Sequence, residues 1–233
     1  MLIWIPIPVL ITTLALLIRA EEKSPKDERQ IWIWKPLSTV LVILVCSLSL
    51  TRSSGAYDPS YTLLILGGLT FSLAGDVLLI PQNNPRAFLG GLVAFLLAHV
   101  VYITAFIYLQ SSLALGVNAV VEVVAALGLA LVAAMVYRYL NPGLGKMRLP
   151  VILYMAVISI MVQRTLALAS VYAGPATQPA LMVTGAVLFY LSDVILAVNK
   201  FLLAGQMPHY RLWNLSAYYT GQLLIALSAS FFA

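Results

Sequence analysis

Long apolar runs alternate with short polar loops along the whole of this chain. A helix needs about 20 apolar residues to cross a bilayer. Eight such runs are legible, at roughly 2–18, 34–50, 61–80, 87–109, 117–140, 149–170, 180–198 and 212–232. Their pattern predicts an all-α integral membrane protein, with about eight transmembrane helices in one bundle and a single polytopic domain over residues 1–233. The start of the second run is blurred by Ile31, Trp32 and Trp34, which suit an aromatic belt at the interface. Runs two and six both begin near a proline, Pro36 and Pro150, where a missing N–H costs least. The first run lacks a basic leader and a small-x-small cleavage site, so it reads as a retained helix and not a signal peptide.

Two acids interrupt this pattern. Asp76 lies in LGGLTFSLAGDVLLI and Asp193 in TGAVLFYLSDVILAVNKF, each with a glycine eight positions upstream, Gly68 and Gly185. A carboxylate in hydrocarbon is costly and is rare unless it faces a polar interior and acts there. Matching acids in the third and seventh runs predict one polar site, and they hint at a weak four-plus-four parallel internal repeat. Gly68, Ser72 and Asp76 recur every four residues and share a helix face; small residues on that face favour close packing, which turns Asp76 inward. Gly185, Phe189 and Asp193 do the same. His99, Tyr102 and Phe106 line a stripe of the fourth helix. Tyr218, Tyr219 and Gln222 cluster within a turn of the eighth.

Charge changes the picture next. Net charge is +5, but its placement matters more. Eleven of the 13 Lys and Arg lie in or beside loops 1–2, 3–4, 5–6 and 7–8; the exceptions are Arg52 on the opposite side and Arg164 within a helix. The positive-inside rule puts those loops in the cytoplasm and both termini outside. Each acid then falls in the cytoplasmic half of its helix. The basic balance needs no nucleic acid; topology accounts for it, with a weak pull on anionic lipid or phosphate. One cysteine, Cys46, gives no disulfide framework and no thiolate metal site. GxGxxG, Walker, GxSxG and HExxH signatures are absent, which leaves dinucleotide, ATP and serine-esterase chemistries without support.

Burial disfavours a carboxylate's charged form, and a second acid nearby does so further. Such pairs tend to divide into one protonated acid and one ionised base, which suits acid-catalysed hydrolysis through an electron-poor intermediate. The same residues also fit plain helix-locking hydrogen bonds, or an ion pair with Lys35 or Arg164. His99 fits a hydrogen-bonded core residue, a proton shuttle or a ligand in a His/Asp/Asp metal site. Glu122 and Arg164 fit snorkelling or mutual pairing. Lys35, read at the cytoplasmic mouth of the second helix, fits a topology flank or a phosphate anchor above the acids. Mid-bundle carboxylates also suit a proton-coupled transporter or lipid-binding protein, although the acids sit towards one face and neither helix carries a proline near its acid.

GGLTFSLAGDVLLI, FLGGLVAFLLAHVVYITAF, GAVLFYLSDVILAVNKF and LSAYYTGQLLIALS, in that order, resemble the YhhN-like membrane proteins, which include the lysoplasmalogenases. The KPL of Lys35–Leu37 and the LYM of Leu153–Met155 fit the same pattern. The resemblance runs from about the second helix to the eighth. It implies an eight-helix enzyme that hydrolyses the vinyl ether bond of lysoplasmalogens, releasing a fatty aldehyde and a glycerophospho-base. Its paired catalytic aspartates match Asp76 and Asp193. Lys35, His99, Tyr102, Tyr154, Asn199, Tyr219 and Gln222 look like the substrate-lining residues, with no metal and no cofactor required. Lys35, then Lys200 and Arg211, would hold the phosphate, leaving open which aspartate is the acid. The partners implied are a lysophospholipid substrate and membrane lipid. The resemblance fits a bacterial inner membrane, or the endoplasmic reticulum of a eukaryote.

Overall fold

The computed structural model describes residues 2–23, 25–51, 58–81 and 84–231; Arg52, the basic residue expected on the outer side, lies outside them. The described residues form eight α-helices: α1 (Pro6–Glu22), α2 (Glu28–Ser47), α3 (Pro59–Leu78), α4 (Pro85–Ser112), α5 (Ala119–Leu144), α6 (Arg148–Ala169), α7 (Thr177–Ala197) and α8 (Tyr210–Ser228). No strand occurs among them. Six stretches are long and apolar enough to cross a membrane. One of these, Ala119–Ala169, holds both α5 and α6, joined by the tight 3-10 turn Gly145–Met147. The α8 helix is not among the six; it turns Asn214, Tyr218, Tyr219 and Gln222 into the protein interior. The chain is thus an all-helical integral membrane protein.

Local chemistry sets several helix starts. The side chains of Asp27, Asp58, Asn84 and Asn118 accept backbone N–H groups in the first turns of α2, α3, α4 and α5, which satisfies donors that a helix start leaves open. Asp27 also accepts from Lys23 Nζ at 2.9 Å. That ammonium holds the Asp27 carboxyl below its usual range. The Asp27 cap starts α2 well before the expected position. Pro36 is therefore not at the helix start but inside it, and Lys35 is not at a mouth but roughly two turns within.

Packing follows the small residues. A Cβ at Gly68 would fall 2.2 Å from Tyr102 Cε1, so glycine there lets α3 lie close along α4. Gly185 and Gly221 face each other across α7 and α8, and a Cβ on either would lie 2.8 Å from the other's carbonyl oxygen. Close backbone approach of this kind is how helices hold together in lipid, where burial of apolar surface gives little drive. The α5 helix is the exception. It packs mainly along α6 and against the π-helical turn Val198–Leu202 that follows α7, and only Leu140 and Leu144 of it are buried.

Candidate active site

The acid-bearing ends of α3 and α7 meet the first turns of α2 and α8 at one end of the bundle. Asp76 is almost fully buried there. Its Oδ2 accepts from Thr39 Oγ1 at 2.5 Å and from Tyr218 OH at 2.7 Å. Lys35 Nζ lies 3.6 Å from its Oδ1. The Lys35 ammonium therefore faces an acid and is not a loop flank; the ion-pair alternative is the one realised. Tyr219 donates to the Lys35 carbonyl at 2.9 Å and holds α8 against the stretch where Pro36 interrupts α2.

Asp193 has a different setting. Its Oδ2 accepts from Tyr154 OH at 2.7 Å. His99 Nε2 stands 3.9 Å from the same oxygen, beyond hydrogen-bond reach. The imidazole is fully buried, with its ring centroid 4.6 Å from Phe189 and 5.3 Å from Tyr154. Asn214 Nδ2 donates to the Ser192 carbonyl at 2.7 Å and pins α7 beside the acid. Among the described residues no three His, Cys, Asp or Glu side chains gather as a metal site would need.

Both acids line one small cavity, together with Lys35, Arg211, Asn214 and Tyr218. Arg211 reaches it from α8, held by Glu21 of α1 at 3.0 Å; Glu21 also takes Lys26 at 2.9 Å. A second small cavity, almost wholly apolar, lies among α4, α5, α6 and α7. Asp193 lines both cavities. Its carboxyl lies on the wall between a cavity lined by charged and polar groups and an apolar one, the layout expected of a site for an amphipathic ligand.

Several expected lining residues lie elsewhere. Tyr102 donates to Gln222 Oε1 at 2.8 Å, and Gln222 Nε2 donates to Ser72 Oγ at 2.9 Å. This chain runs one turn deeper than Asp76 and locks α3, α4 and α8 to one another. Asn199 is engaged by the loop after α7, its Oδ1 accepting the Met207 N–H at 3.1 Å. Lys200 lies over the Phe88 ring, 4.2 Å from its centroid, in a separate cavity with Asn199. Arg164 pairs with Glu122 at 2.9 Å, far along α5 and α6 from the acids. Thr39, Asn214 and Glu21 were missed, and Tyr218 was seen only as part of the α8 polar cluster. An i, i+4 relation to Lys35 on an inward face could have flagged Thr39.

A model of the YhhN family matches residues 30–229. The chain belongs to that family. Among its relatives, human lysoplasmalogenase TMEM86B is 37% identical over 171 residues, which is 72% of this chain and 64% of the human protein. Bovine lysoplasmalogenase TMEM86A is 34% identical over 173 residues, 73% of this chain and 66% of that protein. Pig lysoplasmalogenase TMEM86B is 33% identical over 207 residues, 88% of this chain and 78% of that protein. The chain thus matches just under two thirds of the human and bovine proteins. No solved structure matches it. In this YhhN family member the matched region includes both acids and their partners Lys35, Thr39, Tyr154 and Tyr218, while Glu21 precedes it.

Proposed function

We propose that this protein hydrolyses the vinyl ether bond of lysoplasmalogens, yielding a fatty aldehyde and a glycerophospho-base. Its relatives carry the name lysoplasmalogenase. The observation that supports the reading most is Asp193 on the wall between the two cavities. A lysoplasmalogen has its reactive bond at the same kind of boundary, between a polar glycerophosphate and an alkenyl tail. The head group suits the chamber of Arg211 and Asn214; the tail suits the apolar slot.

The donor sets divide the roles. Asp76 faces an ammonium and two hydroxyl donors, a set that favours the carboxylate. Asp193 has one phenolic donor and hydrocarbon beside it, a setting that favours the neutral acid. Asp193 then donates its proton to the β-carbon of the vinyl ether, and the carbon bonded to oxygen becomes an oxocarbenium ion. The Asp76 carboxylate stabilises that cation and takes a proton from the water that adds to it. The resulting hemiacetal collapses: Asp76 returns a proton to the departing glyceryl oxygen, and the hemiacetal hydroxyl reprotonates Asp193. Every proton is accounted for without a cofactor. His99 packs beside Tyr154, which in turn orients Asp193.

Purified protein given a choline or ethanolamine lysoplasmalogen should release free aldehyde, and the matching acyl lysolipid should release little fatty acid. Acyl-ester cleavage through a covalent intermediate needs a nucleophile activated by an adjacent base, whereas the two acids here are suited to protonating an alkene. Equal cleavage of the acyl lipid, or no aldehyde at all, would sink the proposal.

The same reading takes α1–α8 as eight spans, with the acid-bearing end cytoplasmic and both termini outside; α3 along α4 and α7 along α8 are then the corresponding pairs of two parallel halves. A cysteine at position 25 or 145, in a background without Cys46, should resist an impermeant thiol reagent in intact cells. Labelling from outside at either position overturns the orientation. The transporter alternative is less favoured, because the acids lie near one end of the bundle, not at its midplane.

A further inference from the structure

Met155, on the wall of the apolar slot beside Asp193, also faces a groove between α5 and α6. The wall of the slot passes from α7 to α5 and α6 at Val136, Leu140, Val151 and Met155. A third cavity, of about 640 Å³, lies along the α5–α6 seam and is lined by Ala130, Ala133, Ile152, Met155 and Gln163 among others. Met155 is the residue common to both linings. From Tyr154, which holds Asp193, to Gln163 at the far end of the groove, α6 rises about 14 Å at roughly 1.5 Å per residue. A groove of this direction and length, meeting the apolar cavity beside Asp193 at Met155, fits one occupant: the distal part of the same lipid tail.

We propose that Met155 is a specificity residue that passes long alkenyl chains from the slot into the α5–α6 groove. This rests on the reading of the protein as a lysoplasmalogen hydrolase. Methionine suits a passage of this kind, since its unbranched thioether chain adapts to whatever lies beside it. Selection here works by exclusion and not by greasiness. A tail leaving the bilayer exchanges one hydrocarbon environment for another, so the groove gains little from each added methylene. A side chain that blocks the passage costs long tails their seat and leaves short ones, which end within the first slot, in place. The alanines at 130 and 133 put only a methyl each on the α5 wall of the groove, which leaves room beside Met155.

The test compares dodecenyl with octadecenyl lysoplasmalogen on the full-length protein, reading the ratio of the two kcat/KM values so that differences in lipid dispersion cancel between variants. Met155→Trp should lower the octadecenyl-to-dodecenyl ratio about tenfold. Ala133→Phe should lower it in the same direction, and it keeps the test decisive if the tryptophan disturbs folding, because residue 133 lies on the peripheral α5 helix. An unchanged ratio in folded variants, or an equal fall on both substrates, overturns the proposal and means that ordinary bilayer lipid fills the groove. Aldehyde from neither substrate with the wild-type protein would instead remove the hydrolase reading itself.

Discussion

Asp76→Asn and Asp193→Asn should each remove nearly all aldehyde release, about 10³-fold, within the range that positioned acid–base groups contribute. The double variant should lose little more than either single one, because members of one catalytic unit are not additive. Asp193→Asn should fold as the wild type does, whereas Asp76→Asn leaves the buried Lys35 ammonium without its counter-charge and should fold with a lowered melting temperature. An asparagine oxygen at position 76 still accepts from Thr39 and Tyr218, and one at 193 still accepts from Tyr154. Turnover in purified protein, measured beside detergent melting temperature, checks both halves. Well-folded variants with near-normal hydrolysis would reduce the acids to structural residues and leave the proposed chemistry without its agents.

Lys35→Met should have the second-largest effect, and on two readouts. Removing the ammonium leaves Asp76 a buried carboxylate without its cation, a change that costs roughly 3 kcal/mol in well-buried pairs. Turnover should fall through kcat, since the group that the lysine serves is the Asp76 carboxylate, which activates the water. Adding Asp76→Asn to Lys35→Met should restore much of the stability and none of the activity. A Lys35→Met protein as stable as wild type, with only KM raised, would return this lysine to the phosphate-holding role that the sequence suggested.

The difference between those two roles marks where the sequence stops being legible. Asp76 and Asp193 stand out because a carboxylate in an apolar helix is costly whatever the fold around it. The helices stand out because hydrocarbon demands long apolar runs. Lys35 was misjudged for a local reason: Pro36 reads as a helix start, yet the Asp27 cap begins α2 earlier and carries the lysine inside. Thr39 and Tyr218 could not be chosen over the other hydroxyls, because the choice depends on how α2 and α8 are rotated against α3. Tyr102 and Gln222 were recognised as polar but are satisfied by each other and by Ser72. Nothing in the apolar pattern marks Glu21, whose burial comes with the approach of Arg211 from α8.

The loose seating of α5 carries a consequence for how such a protein can diverge. The two acids and their donors sit on α2, α3, α6, α7 and α8, whereas α5 touches the rest chiefly along α6 and the π-helical turn after α7. Substitutions on its inner stripe reshape a hydrocarbon wall without moving a proton donor, and few of them disturb the packed core, where altered volume is costly. A lineage can therefore change the lipids it handles by drift in one helix while the chemistry stays fixed in the others.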